Sequence, residues 1–263
     1  MTAAPGELSG HAAIVTGGGA GIGASTARCL AERGAQVSVL DRAADAARAV
    51  AEEIGGHAFE VDVSDPAATT AAVQAAADAM GGLTDVVANA GFGINKPLHK
   101  YTDQEWRLVV GVNLDGTFHT VRAAIPLLRE RGGNIVTVAS LNASRPLQGE
   151  APYSAAKAGI VNLTRTVALE YAPAIRANCV SPGMIATALT SVITDDADFT
   201  AVAEAGTPLR RIGTADEVAE VIAFLCSDAA RYVTGQELIV DGGAGLPNLQ
   251  ADSIVRAVRQ RYS

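Results

Sequence analysis

A chain of 263 residues with 49% apolar and 18% charged side chains can bury the core of one large domain, which excludes a disordered polymer. Its 28 acidic against 20 basic residues give a net charge of −8, which repels polyanions and excludes nucleic acid as an expected partner. No apolar run is long enough to span a bilayer and no basic segment precedes an apolar leader, so a soluble, cytoplasmic protein with no membrane partner is expected.

Short apolar runs alternate with longer amphipathic ones, the pattern of parallel strands joined by crossover helices. Strands are expected at Ala12 to Thr16, Gln36 to Leu40, Ala58 to Val61, Thr84 to Ala88, Asn134 to Ala139, Arg176 to Val180 and Glu237 to Val240. Helices are expected near 22–33, 43–54, 66–80, 103–130, 152–171 and 214–227. The alternation predicts a single α/β domain over 1–263, a doubly wound three-layer fold on a seven-stranded parallel sheet. Thr214-x-x-Glu217 reads as a capping box that opens the last helix. The longest interruption, Ser181 to Gly213, follows a strand's carboxyl end, so a substrate lid is expected near 184–213. The C-terminal tail, 244–263, carries Ile254, Val255 and Val258 at helical spacing, suited to docking on a neighbouring subunit or to folding back on its own core.

Gly17, Gly19, Gly21 and Gly23, with Ala20 and Ile22 between them, follow the first strand and open the first helix. There glycine permits a tight turn and a close approach to a pyrophosphate, whose charge meets the free N–H groups of the helix N-terminus. Asp41 ends the second strand, where a carboxylate accepts from both ribose hydroxyls of an adenosine and repels a 2′-phosphate. NAD is therefore favoured over NADP, although the adjacent Arg42 offsets part of the repulsion. Asp62, after the third strand, either accepts from an adenine amino group with Val63 along the ring or caps the helix ahead of Pro66.

Tyr153 and Lys157 stand four apart behind Pro152, which suits a first helical position, so both project from one face of the first two turns. A free phenol titrates at about 10, and a fixed cation beside it favours the phenolate. Ser140 directly follows the apolar run 135–139; Asn113 lies upstream in a helical stretch, where an asparagine also marks a local kink. Cys29, Cys179 and Cys226 lie in apolar stretches without C-x-x-C spacing, as expected of buried thiols in a reducing compartment. His11, His57, His99 and His119 are too scattered for a metal site, and no metal is expected.

With Asn89-Ala90-Gly91, Asn113, Ser140, Tyr153 and Lys157 in order behind the glycine loop, followed by Pro182-Gly183, Thr234-Gly235-Gln236 and Val240-Asp241-Gly242-Gly243, nearly the whole chain resembles the short-chain dehydrogenase/reductase family. The resemblance implies a Rossmann fold and hydride exchange between nicotinamide and a carbinol carbon, with Tyr153 as general base in oxidation and general acid in reduction. It implies that Ser140 steadies the substrate oxygen. Lys157 would bind the nicotinamide ribose and, with the oxidised nicotinamide, lower the tyrosine pKa, while Asn113 would hold a water that links Lys157 to solvent. By the same resemblance the backbone at Ile185 and the hydroxyl of Thr187 hold the carboxamide beside Pro182 and Gly183, and Asn89, Ala90 and Gly91 wall the adenosine ribose.

The segment Leu141-Asn142-Ala143-Ser144-Arg145-Pro146 departs from the second serine or small residues of many relatives, which leaves the substrate class open. The substrate is expected against Gly93, Ile94, Leu141, Asn142, Leu147, Gln148, Met184 and Leu189, a largely apolar set with Phe92 nearby and Asn142, Arg145 and Gln148 as polar contacts. The expected function is an NAD-dependent dehydrogenase of a small-molecule secondary alcohol or its ketone. The alternatives are an NADPH-dependent reductase of 3-oxoacyl thioesters or other carbonyls, a catalytically silent nucleotide-binding scaffold, and an epimerase like the family's longer members. Low charge on one side of the alanine-rich helices 103–130 and 152–171 joins with the resemblance to imply a homotetramer or homodimer.

Overall fold

The first half of the chain runs through β1 (Ala12–Thr16), α1 (Gly21–Glu32), β2 (Gln36–Asp41), α2 (Ala44–Ile54), β3 (His57–Glu60), α3 (Pro66–Ala79) and β4 (Asp85–Ala88). The second runs through α4 (Asp103–Val110), α5 (Gly116–Arg131), β5 (Gly133–Val138), α6 (Ala151–Tyr171), β6 (Ile175–Pro182), β7 (Ile185–Ala186), α7 (Ser191–Thr194), α8 (Ala197–Gly206), β8 (Gly213–Thr214), α9 (Ala215–Cys226) and β9 (Glu237–Val240). The computed structural model describes residues 7–246 together with 254, 255, 258, 259 and 261.

Seven strands form one parallel sheet in the order β3-β2-β1-β4-β5-β6-β9, the doubly wound α/β fold that the alternation predicts. The pleat divides each strand between two cores: Ala13 and Val15 of β1 join Leu30, Val37 and Ile222 on one face, and Ile14 joins Val73, Val121 and Ile135 on the other. Alanines at the contact positions let helix axes approach the sheet closely, so α1 packs beside α9 on one face and α3 beside α5 on the other. Strand order reverses between β1 and β4, which opens a crevice at their carboxyl ends.

Two helices start as their sequences indicate. Asp65 accepts from the N–H groups of Ala67 and Ala68 at 2.8 and 3.0 Å with Pro66 at the first helical position, so Asp65, and not Asp62, caps α3. Thr214 and Glu217 form the expected capping box of α9.

The expected single helix over 103–130 is interrupted. Gly111–Asp115 forms a π-helical turn between α4 and α5, and Asn113 Nδ2 donates to the Val109 carbonyl at 2.8 Å there. The expected lid contains α7, α8 and the short parallel pair β7–β8, and so is not coil throughout. Of the expected tail 244–263, only 244–246 and the helical positions 254, 255, 258, 259 and 261 belong to the described residues; Ile254, Val255 and Val258 are exposed, and the rest of the tail lies outside them.

Candidate active site

The crevice at the switch point is a cavity of about 310 Å³ whose wall is built from the carboxyl ends of β1, β2, β4, β5 and β6. Gly17, Ala20, Gly21 and Ile22 line one end of it. Gly17 and Gly21 hold φ of +62° and +53°, which favour glycine, and a Cβ on Gly17 would lie 2.8 Å from Ala90 Cα. Gly19 and Gly23 shape the loop without lining the cavity. A Cβ on Gly23 would meet the Gly17 carbonyl at 2.1 Å, so only glycine lets α1 start this close to β1. The N-cap Ala20 supplies no side-chain acceptor and the first turn of α1 carries no acid, leaving its N–H dipole free for an anion. Asn89 staples the loop, its Nδ2 donating to the carbonyls of Thr16 and Gly17 at 3.0 and 3.2 Å.

Asp41 stands at the cavity wall with Oδ2 accepting from Gly19 N–H at 3.0 Å and Oδ1 from Ala43 N–H at 2.9 Å. Arg42, Asp62 and Val63 line the same end. Asp62 accepts from both Ser64 Oγ and Ser64 N–H, and these bonds hold its carboxyl below the ordinary aspartate value.

At the other end Ser140 follows β5, and α6 presents Tyr153 and Lys157 from one face. Lys157 is 3% exposed; its ammonium donates to the Val138 carbonyl at 2.8 Å and lies 5.4 Å from the Tyr153 ring centroid. Burial lowers that ammonium to about 8. The phenol of Tyr153 is pushed up to about 12, chiefly by burial; the Ser140 hydroxyl draws it down and the Glu150 carboxylate raises it further. Burial outweighs the Ser140 hydroxyl in setting this phenol, and the Lys157 ammonium stands close enough to the ring to oppose that burial while it is charged.

Asn113 is fully buried in the π-helical turn, and its Nδ2 also donates to the Phe92 carbonyl at 2.8 Å. Its Oδ1 is buried without a partner in the structure. A Cβ at Gly91 would fall 2.5 Å from that oxygen and 3.3 Å from Lys157 Nζ, so the missing side chain keeps open the space between them. An orphaned acceptor and a buried ammonium around one gap, with an uncapped helix N-terminus at the far end, fit a dinucleotide with a polar nicotinamide ribose.

Asn89, Ala90, Gly91, Pro182, Gly183, Ile185 and Thr187 line the cavity between the two ends. Of the expected substrate residues, Leu189 lines it and Gly93 lies beside it, where a Cβ would be 3.7 Å from the Tyr153 ring. Met184 instead lines a second cavity of about 110 Å³ with Arg211, Glu217 and Asp241. The Ile94 carbonyl accepts from Tyr101 Oη, and Asn142 Nδ2 donates to Glu150 at 2.7 Å. Leu141 lies against Gly245, and Leu147 and Gln148 are exposed outside the cavity wall. Leu40, Val61, Val112, Val138, Ala139, Ala188 and Thr190 also line the cavity; each neighbours a strand end or a motif residue, the one signal that marks them in the sequence. The three cysteines are buried and free, and the described residues hold no group of three or more potential metal ligands.

A family model described as Enoyl-(Acyl carrier protein) reductase matches residues 17–245. The chain is 43% identical over 239 residues to a cis-4-hydroxycyclohexanecarboxylate dehydrogenase of Sinomonas cyclohexanicum, covering 88% of this chain and 95% of that protein. A solved 3-ketoacyl-(acyl-carrier-protein) reductase from Brucella melitensis, complexed with NADH, matches with a TM-score of 0.85 at 36% identity, over 91% of this chain and 100% of that one. A gluconate 5-dehydrogenase from Burkholderia cenocepacia J2315 in complex with NADP and tartrate gives 0.86 at 33% identity, over 90% and 96%. Motif order, sheet topology and relatives spanning nearly the whole chain agree: this protein belongs to the short-chain dehydrogenase/reductase family of oxidoreductases.

Proposed function

We propose that this protein is an NAD-dependent dehydrogenase that interconverts a secondary alcohol and its ketone. The observation that carries this reading is the convergence of Ser140, Tyr153 and Lys157 on a cavity whose opposite end is bounded by the glycine loop and Asp41. The cofactor supplies the acceptor for the hydride leaving the carbinol carbon, and the donor in the reverse direction. Tyr153 takes the hydroxyl proton as the carbonyl forms and returns it in reduction. The Ser140 hydroxyl donates to the substrate oxygen and holds it within reach of the phenol. Lys157 serves the nicotinamide ribose, and its protonated form opposes the cost of a buried phenolate. Asn113 Oδ1 offers an acceptor to a water in the gap it shares with Lys157, the water that would relay the proton toward solvent.

Asp41 supports NAD, because its carboxylate is held at the adenosine end by two backbone N–H groups and a 2′-phosphate there meets its charge. Arg42 lines the same wall and carries the competing reading, an NADPH-dependent reductase of 3-oxoacyl thioesters or other carbonyls. In the proposed enzyme 184–213 is the lid that closes on the substrate, and Leu189 is the part of it that lines the cavity. Trp106, Phe118 and Leu169, exposed on α4, α5 and α6, support assembly into a homodimer or homotetramer, and three buried free thiols suit the cytoplasm.

Titration with NADH and NADPH at matched concentrations, followed by nicotinamide fluorescence, tests the cofactor. NADH bound at least about tenfold more tightly supports Asp41 as the selector, and the reverse order overturns it in favour of Arg42. Tyr153→Phe then separates enzyme from scaffold: oxidation of cyclic secondary alcohols with NAD should vanish while NADH binding persists.

A further inference from the structure

Glu150 is the N-cap of α6, three residues before Tyr153, and its carbonyl accepts from Ser154 N–H at 2.8 Å. Its carboxylate caps no helical N–H. Instead it accepts from Asn142 Nδ2 at 2.7 Å. Asn142 belongs to the short turn Leu141–Ala143, and its backbone N–H donates to Ser140 Oγ at 3.2 Å. One residue therefore holds Ser140 through its main chain and Glu150 through its side chain. Asn95 brings in the loop after β4, its Nδ2 donating to the Gln148 carbonyl at 3.1 Å.

Among the described residues Glu150 forms no ion pair. A half-buried carboxylate held only by a neutral amide pays a desolvation penalty that a neutral side chain of the same shape avoids, so its charge serves something other than stability.

We propose that Glu150 is a positioning residue for Tyr153, tying the Ser140 turn to the start of α6 through Asn142 and setting, through its fixed charge, the pH at which Tyr153 exchanges its proton. This rests on Tyr153 being the general acid/base of the proposed reaction. Lys157 from α6 and Ser140 from the end of β5 also face the phenol. Tyr101 faces the carboxylate from the loop after β4, and the nearby Lys96 and Glu105 pair with each other. A carboxylate beside a phenol opposes its ionisation, and the direction agrees with the raised Tyr153 and with a Glu150 carboxyl itself raised by burial. The charge therefore keeps Tyr153 protonated over a wider pH range.

The test labels tyrosine at Cζ with carbon-13, assigns the Tyr153 resonance by its loss in Tyr153→Phe, and titrates the NAD-saturated protein. In Glu150→Gln the Tyr153 midpoint should fall by about half a pH unit or more. Glu150→Asp, whose charge is drawn back by one methylene, should fall less, and decides the matter if the glutamine variant does not fold. Unmoved midpoints in the variants that fold overturn the proposal. Turnover surviving in Tyr153→Phe overturns the catalytic reading itself; an inactive Tyr153→Phe with an unmoved Glu150→Gln overturns this inference alone.

Discussion

At the amino end of the sheet the buried Asp85 is surrounded by donors: His11 Nδ1 and the Thr84 hydroxyl each approach one oxygen to 2.7 Å, and Asn134 Nδ2 approaches the other at 3.4 Å. Arg176 closes that end by donating to the carbonyls of Leu225 and Val233. At the carboxyl end of the same strands the buried groups are left short of partners. Lys157 has the Val138 carbonyl, Asn113 Oδ1 has none, and the Tyr153 phenol is held protonated far above neutrality. One end spends its polar groups on each other and the other keeps them for a ligand. The difference teaches where to look: an orphaned acceptor beside a buried ammonium on a cavity wall marks a candidate site, whereas the isolated orphans Thr26 Oγ1, Ser38 Oγ and Asn134 Oδ1 belong to residues that do not line the cavity.

Substitutions at the two ends should behave differently. The largest effect is expected for Lys157→Met, with turnover falling about a hundredfold or more. It should also change the pH dependence of stability. Because the folded chain releases the Lys157 proton near 8 and the unfolded chain keeps it to the usual lysine value, wild-type stability rises with pH through that window, by about 3 kcal/mol at most. Urea midpoints at pH 7.5 and 10 should show this rise in the wild type and lack it in the methionine variant; equal rises would show that burial does not set the lysine.

At the amino end, Asp85→Ala leaves buried donors without an acceptor and should cost about 3 kcal/mol in urea unfolding, with affinity for NADH retained at temperatures where the variant is folded. A loss of NADH affinity without a loss of stability would erase the contrast between the two ends. His11→Gln should have the smallest effect. Its bond to Asp85 raises the folded-state pKa of His11, so the imidazolium contributes stability below the ordinary value of about 6.5 and loses it as pH rises through the raised one. Thermal midpoints of wild type and variant should therefore differ most near pH 6, by the equivalent of about 1 kcal/mol, and converge in alkali.

Much of the architecture was readable in advance because it depends on short-range pattern. Every strand of the seven-stranded sheet falls within a residue or two of its expected position, since a buried parallel strand is a continuous apolar run bounded by turn residues; the short pair β7–β8 had no such run and was not expected. The helix around Asn113 was not, because a π-helical turn depends on where the Val109 carbonyl finds a donor, and periodicity does not register that. The expected substrate residues met the same limit. Met184 and Leu189 are five positions apart at one strand exit, yet they line different cavities. Glu150 carried no sequence signal, since an acid before a helix reads as an ordinary cap until its carboxylate is found on Asn142.

The sequence by itself determined the strand order's raw material, the glycines that let backbone approach backbone, and the placement of Tyr153 and Lys157 on one helical face, because spacing and steric permission are local properties of the chain. Only the tertiary structure decided the proton affinities of that pair, the open space between Gly91, Asn113 and Lys157, and the residues that reach the cavity. Those depend on desolvation and on contacts between segments far apart in sequence, such as β5 with α6 and the loop after β4 with the turn after Ser140, and each exists only once the sheet has brought those segments together.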